Sequence, residues 1–171
     1  MIYYIQSTNQ YVASNQPFTF DGNQYPENWI MLSTDEDKSA IGMQLVVAQN
    51  ARANDAYYWV TETRNGPTLT YINTPKDLDQ TKANCKSQIN ATAYSLLLPN
   101  DWMVVKATET SAPIDPTWNT WRQSIRTTAA SYVAAITGAA DMPALEMVMG
   151  NITWPHDPDY VEPQQNESTN P

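Results

Sequence analysis

The sequence predicts an α+β protein: a small antiparallel β-rich N-terminal unit over 1–73, an antiparallel helical unit over 74–150, and an extended Pro-rich tail over 151–171. Three observations carry this. Aromatic and β-branched runs in the first part are separated by Gly/Asn turn signals. The second part shows apolar residues at three- and four-residue steps behind cap-type residues. The last stretch has Pro155, Pro158 and Pro163, and no apolar side chain from Gln164 onward.

Ile2–Ile5 is a strand, and Tyr11-Val12 either continues it or pairs with it. Phe18-Thr19-Phe20, the turn Asp21-Gly22-Asn23 and Tyr25 form a hairpin, which Pro26 ends because proline cannot donate to a ladder. Trp29–Leu32 is expected to be a bulky buried segment. Ser33-Thr34 followed by Asp35-Glu36-Asp37 starts a brief helix, with carboxylates at the positive end of its dipole and Gly42 closing it. Met43–Val47 resumes a strand. Ala56–Thr63 and Thr68–Ile72 are strands joined across Asn65-Gly66.

From Thr74-Pro75 the pattern becomes helical, with Thr74 as the expected cap of a helix over 75–98 whose inner face carries Leu78, Cys85, Ile89, Thr92 and Leu96. Pro99 breaks it. A second helix runs from Asn100 or Asp101 through Trp102, Met103, Val105 and Lys106, and Ser111–Pro116 is a Pro-stiffened turn. Asp115-Pro116 caps the next helix, with Trp118, Trp121 or Arg122, Ile125, Tyr132 or Val133, and Ile136 on one face up to Gly138. Asp141 caps a last helix that Gly150 ends.

The net charge of −9 argues against a nucleic-acid partner, since affinity for phosphate backbones rests on clustered Lys and Arg. Residues 151–171 carry acidic side chains and no basic one. An electrostatic partner of the chain ends is therefore expected to be basic. Cys85 is the sole cysteine, which excludes an intramolecular disulfide and any Cys-based zinc site. No apolar run is long enough to span a membrane, and MIYYIQSTNQ lacks the basic and apolar regions of a signal peptide. The expected setting is a cytoplasm, or a particle assembled there, which leaves the three Asn-X-Ser/Thr matches as chance.

No catalytic, cofactor or metal constellation emerges. His156 with Asp157 and Asp159 is short of ligands and held extended by prolines. Asp35-Glu36-Asp37 lacks the glycine and distant glutamate of a calcium loop. Cys85 faces a helix interior far in sequence from the lone histidine, and neither a nucleophile elbow nor a phosphate-binding glycine loop is present. Not an enzyme is therefore the expectation. The informative class is tryptophan. Trp29, Trp59 and Trp102 are expected in the core, whereas Trp118, Trp121, Arg122, Arg126, Trp154 and Pro155 are candidate partner-binding residues, because aromatic and Arg clusters make interface hot spots.

Asn100-Asp101-Trp102-Met103-Val104-Val105-Lys106, then Glu109, the Pro turn, Trp118, Trp121-Arg122, Ile125-Arg126 and Trp154-Pro155 resemble the C-terminal half of bacteriophage tail-fibre assembly proteins and tail assembly chaperones. Trp121 stands where that family usually has Tyr. Gly22–Trp29 with Thr34–Met43 is similar to the front of related phage proteins. The resemblance implies a non-enzymatic tail-associated protein that binds a tail-fibre, adapter or baseplate polypeptide. It would act as an assembly chaperone in the host cytoplasm or stay in the virion tail, in multiple copies. A second reading is a small adhesion or glycan-binding module using Tyr57, Tyr58, Trp59 and Tyr71.

Overall fold

The computed structural model describes residues 1–160 and shows an α+β fold, with antiparallel strands in the N-terminal part and helices in the C-terminal part. The expectation of an extended tail over 161–171 lies outside the described residues. The chain divides into two compact units, Met1–Lys76 and the part from Asp77 onward.

In the first unit, β1 (Ile2–Ile5) lies between β2 (Gln10–Ala13) and β5 (Met43–Leu45), antiparallel to both. Tyr11-Val12 is thus the partner of the first strand. Alternation puts Tyr3, Ile5, Val12 and Met43 on one face, where they pack with Phe18 and Ile30. β3 (Phe18–Phe20) and β4 (Asn23–Tyr25) form the predicted hairpin, with Asp21 and Gly22 both at positive φ as a two-residue loop of this hand requires. The Tyr25-Pro26…Trp29 motif is structural. Tyr25 stacks on Phe18 with centroids 4.7 Å apart, and Trp29 meets both rings edge-on.

Trp29–Leu32 is a short helix, α1, and not a buried segment. Ile30 enters the core while Met31 and Leu32 stay exposed, because one turn of helix buries one side. α2 (Asp35–Ala40) starts on a reciprocal capping box: the Asp37 N–H donates to Thr34 Oγ1 and the Thr34 N–H donates to Asp37 Oδ2, at 3.2 and 3.0 Å. The Thr34 backbone donor, followed by its hydroxyl, holds the Asp37 pKa below the ordinary aspartate value. With a depressed folded-state pKa, the stabilisation is present above the unfolded value and is lost as pH falls through the folded one. In an NMR titration Asp37 is expected to titrate below ordinary aspartates, and Thr34→Ala to move its midpoint back up. An unchanged midpoint in the variant would mean that the Thr34 hydroxyl does not act on Asp37, since alanine keeps the backbone donor.

A third sheet runs β6 (Val47–Ala48), β8 (Thr68–Pro75), β7 (Tyr58–Asn65), with β6 parallel to β8 and the β7–β8 hairpin antiparallel. Its loop is Gly66-Pro67, with Gly66 at φ +57° and Asn65 paired to Thr68, so Asn65 belongs to the ladder rather than to the turn. The tip rests on the second face of the first sheet. Tyr4 and Tyr11 pack there 5.2 Å apart, and the Tyr11 hydroxyl donates to the Gly66 carbonyl at 3.0 Å. Thr74-Pro75 ends β8 and does not open a helix, since Pro75 is held opposite Tyr58. The true cap is Asp77, which accepts from the Gln80 N–H at 2.7 Å.

α3 (Leu78–Leu97) buries Thr81, Cys85, Ile89 and Ala93. Pro99 does not end helical structure: Leu98–Asn100 is one 3-10 turn leading into α4 (Asp101–Thr110). α4 stops at Ser111, at φ +55°. α5 (Pro116–Gly138) begins on the predicted Asp115 cap and α6 (Met142–Gly150) on the Asp141 cap. α3 packs on α5 and α5 on α6, with Ile89, Ile125, Ile136 and Leu145 fully buried. Two contacts fix the α3–α5 pair as antiparallel. Lys82 Nζ, near the start of α3, donates to the Thr137 carbonyl at the end of α5 at 3.2 Å, and Arg122, near the start of α5, donates to the Leu97 carbonyl at the end of α3 at 3.0 Å.

Candidate functional site

The residues singled out by sequence come together in the helical unit, but most of them hold it closed. Arg122 lies within the apolar stripe of α5, and its side chain is 3% exposed. Besides the Leu97 carbonyl it meets Asp101 Oδ1 at 2.6 Å through Nη2. One guanidinium thus fastens α5 to the joint between α3 and α4. Trp121 is also buried, and its indole Nε1 donates to the Pro155 carbonyl at 3.1 Å. Both side chains are buried and engaged within the unit, whereas the expectation from sequence is a partner surface. A donor at position 121 is what the Pro155 carbonyl needs, and the indole N–H supplies it.

Trp154 and Pro155 are half-buried on the same unit. The Tyr132 hydroxyl donates to the Thr153 carbonyl at 2.9 Å and accepts from the Thr153 N–H at 2.8 Å, and the Trp154 ring meets Tyr132 edge-on at 6.0 Å. The Thr153 hydroxyl and then its N–H hold the Tyr132 pKa below the ordinary tyrosine value. The start of the expected tail is therefore a strap on α5 and belongs to the helical unit. Tyr132→Phe is expected to cost about 0.5–1.5 kcal/mol, since the exposed Thr153 groups exchange the hydroxyl for water. Amide exchange at Thr153 should speed up while exchange at Ile125 follows the global change alone. Equal effects at both positions would show that the strap does not open on its own.

What remains accessible lies on α4 and beside it. None of the ten α4 residues is buried. Trp102 is 56% exposed, contrary to the core expectation, and Val104 and Val105 are exposed with it. Tyr94 near the end of α3 and Leu98 in the 3-10 turn are exposed as well, so exposed apolar side chains recur along the chain from Tyr94 to Val105. One flank of Trp102 opens into an apolar groove of about 220 Å³ lined by Met103, Ala107, Pro113, Ile114 and Trp118, with Lys106 Nζ 5.8 Å from the Trp102 ring centre. Trp118 is half-buried and edge-on to Trp121 at 5.6 Å, presenting its remaining face to the groove. Arg126 is exposed, donating one long bond of 3.5 Å to the Arg122 carbonyl.

Sequence reasoning missed Trp102, Val104 and Val105 as surface residues. The available signal was the lack of any one-sided pattern in DWMVVKATET, whose apolar residues follow one another instead of recurring every third or fourth position. The aromatics of the glycan reading do not assemble. Register places Trp59 on one face of the β7–β8 hairpin and Tyr58 with Tyr71 on the other, with Trp59 66% exposed beside Lys76 rather than in the core.

Chemically, the site can bury an apolar side chain and its flanking helix or strand. Among the described residues no group of three or more His, Cys, Asp and Glu is gathered closely enough to hold a metal ion, and no helix is long and apolar enough to cross a membrane. Cys85 is buried, and burial pushes its thiol pKa up, the setting of a packing cysteine. Comparison with family models, curated proteins and solved structures returns no match.

Proposed function

We propose that this chain is a non-enzymatic tail-associated protein of a tailed bacteriophage. It binds a tail-fibre or baseplate polypeptide through α4 and the Trp102–Trp118 groove, as an assembly chaperone or as a retained virion component. The observation that carries the binding role is α4 itself, a helix with no buried residue that exposes Trp102, Val104 and Val105, set beside a groove sized for one or two apolar side chains. The sequence resemblance supports the choice of partner. Its quoted positions interlock, Asp101 with Arg122 and Trp121 with Pro155, as expected of residues that define a fold. The partner segment should be apolar where it enters the groove.

Co-expression with the tail-fibre and baseplate genes of the same phage, followed by affinity capture on this chain, tests the reading. One stoichiometric tail polypeptide should be retained. Capture of none, across fibre and baseplate candidates, would sink it. Mass spectrometry of purified virions then separates the two forms: absence marks a chaperone, stoichiometric presence a structural component.

A further inference from the structure

We infer that the outer edge of β7 pairs with the same edge of a second copy of this chain, antiparallel and centred on Thr63, to join the two β6-β8-β7 sheets. This does not rest on the tail-protein reading. The hydrogen-bond parity of the hairpin is fixed at both ends. Asn65 faces Thr68 across the two-residue loop, and the Lys76 N–H donates to the Tyr57 carbonyl at 2.9 Å. Odd-numbered residues of β7 therefore bond to β8, and Val60, Glu62 and Arg64 turn their N–H and C=O groups outward. The far edge of the sheet is satisfied: Val47 and Gln49 donate to the Pro67 and Leu69 carbonyls, and the Asn50 side-chain amide bonds both backbone groups of Tyr71. The edge of β7 has no such cover from Val60 to Arg64 among the described residues. It carries no proline, lysine or bulge, and its two charged residues, Glu62 and Arg64, are of opposite sign, which repels unmatched strands but not an edge of the same sequence.

Charge selects both the occupant and the register. Glu62 and Arg64 lie on one face and already pair at 3.0 Å. In an antiparallel two-fold centred on Thr63, Glu62 stands opposite the second copy's Arg64 and Arg64 opposite its Glu62. The result is a square of alternating charges with reciprocal backbone bonds in each pair. Shifting the centre to Glu62 would set two glutamates face to face. Shifting it to Thr61 would call on the Tyr58 N–H, which already donates to the Asn54 carbonyl at 3.0 Å. Of these three registers, the Thr63-centred one is without such a conflict.

The test uses the full chain. Thr63 would oppose its own copy in a non-hydrogen-bonded pair, ~4.5 Å between Cα atoms, within disulfide reach. Thr61 would lie ~13 Å from its counterpart. Thr63→Cys treated with diamide is expected to form a covalent dimer at least about tenfold faster than Thr61→Cys, with the unaltered chain and its buried Cys85 as background. In sedimentation equilibrium, Glu62→Arg should weaken self-association about tenfold, and the swap Glu62→Arg with Arg64→Glu should restore it to within about twofold. Circular dichroism confirms folding of each variant. A chain that stays monomeric at high concentration and whose Thr63→Cys variant cross-links no faster than Thr61→Cys overturns the inference, including the case in which a strand of another protein uses this edge. So does a charge swap that fails to restore a dimer lost in the single variant.

Discussion

Arg122→Ala is expected to destabilise the helical unit by about 3–5 kcal/mol, the cost of emptying the space of a large buried side chain and of taking the donor from a helix-end carbonyl. Its guanidinium has almost no water to fall back on, and its acceptors come from two different segments, the Leu97 carbonyl and the Asp101 carboxylate. Truncation opens a cavity between α5 and the α3–α4 joint and removes a donor from a helix-end carbonyl. Asp101 is less affected, because its side chain is 48% exposed and can turn to water. Asp101→Ala leaves the arginine charge buried without a counter-charge but keeps its volume and its bond to the Leu97 carbonyl, and should cost about 2–3 kcal/mol. Arg122→Met keeps most of the volume without the charge and should fall between the alanine variant and the natural chain.

With about 1 kcal/mol moving the midpoint by roughly 4–8 °C in a unit of this size, Arg122→Ala should melt at least ~12 °C lower. High salt should not reproduce the loss, since a buried pair is screened little. A loss under ~1 kcal/mol would mean that the helices hold without this clamp.

The position of Arg122 also shows what a sequence can and cannot disclose. It falls on the three- and four-residue stripe of α5 beside Trp121 and Ile125, and that spacing is a local signal of burial. The counter-charge that permits burial is 21 residues earlier, on another helix. Caps were legible for the same reason of locality. Thr34 with Asp37, Asp115 with Pro116, and Asp141 each act within three residues. Thr74-Pro75 has the same look, yet it lies in β8, because pairing to Tyr58 across the hairpin outweighs a weak start signal with a better cap two residues on at Asp77.

Tryptophan exposure was least legible. In YWVTET both faces of the strand begin with an aromatic, so alternation does not say whether Tyr58 or Trp59 turns inward. At Trp102 the ambiguity is greater, since a helix that packs against little imposes no inward face.

That same absence of packing makes Trp102 the sharpest probe of function. Trp102→Ala is expected to weaken capture of the proposed tail polypeptide by about 2–4 kcal/mol, some 30- to 1,000-fold, the range of an aromatic hot spot seated in a pocket. The stability of the chain should change by less than ~1 kcal/mol. The variant loses a cation–π contact with Lys106 worth about 0.5–1 kcal/mol at an exposed site, and gains helix propensity, since alanine is the best helix former. Val105→Ala, on the same helix, should show a smaller effect of the same kind. Arg122→Ala cannot serve this purpose, because it moves α4 and the groove together with the stability of the whole unit. Binding measured by titration calorimetry alongside a thermal melt separates the two quantities. If Trp102→Ala leaves affinity within about twofold while the partner is still captured, the interface lies off α4. If it lowers affinity only in proportion to a fall in stability, Trp102 supports the fold and does not touch the partner.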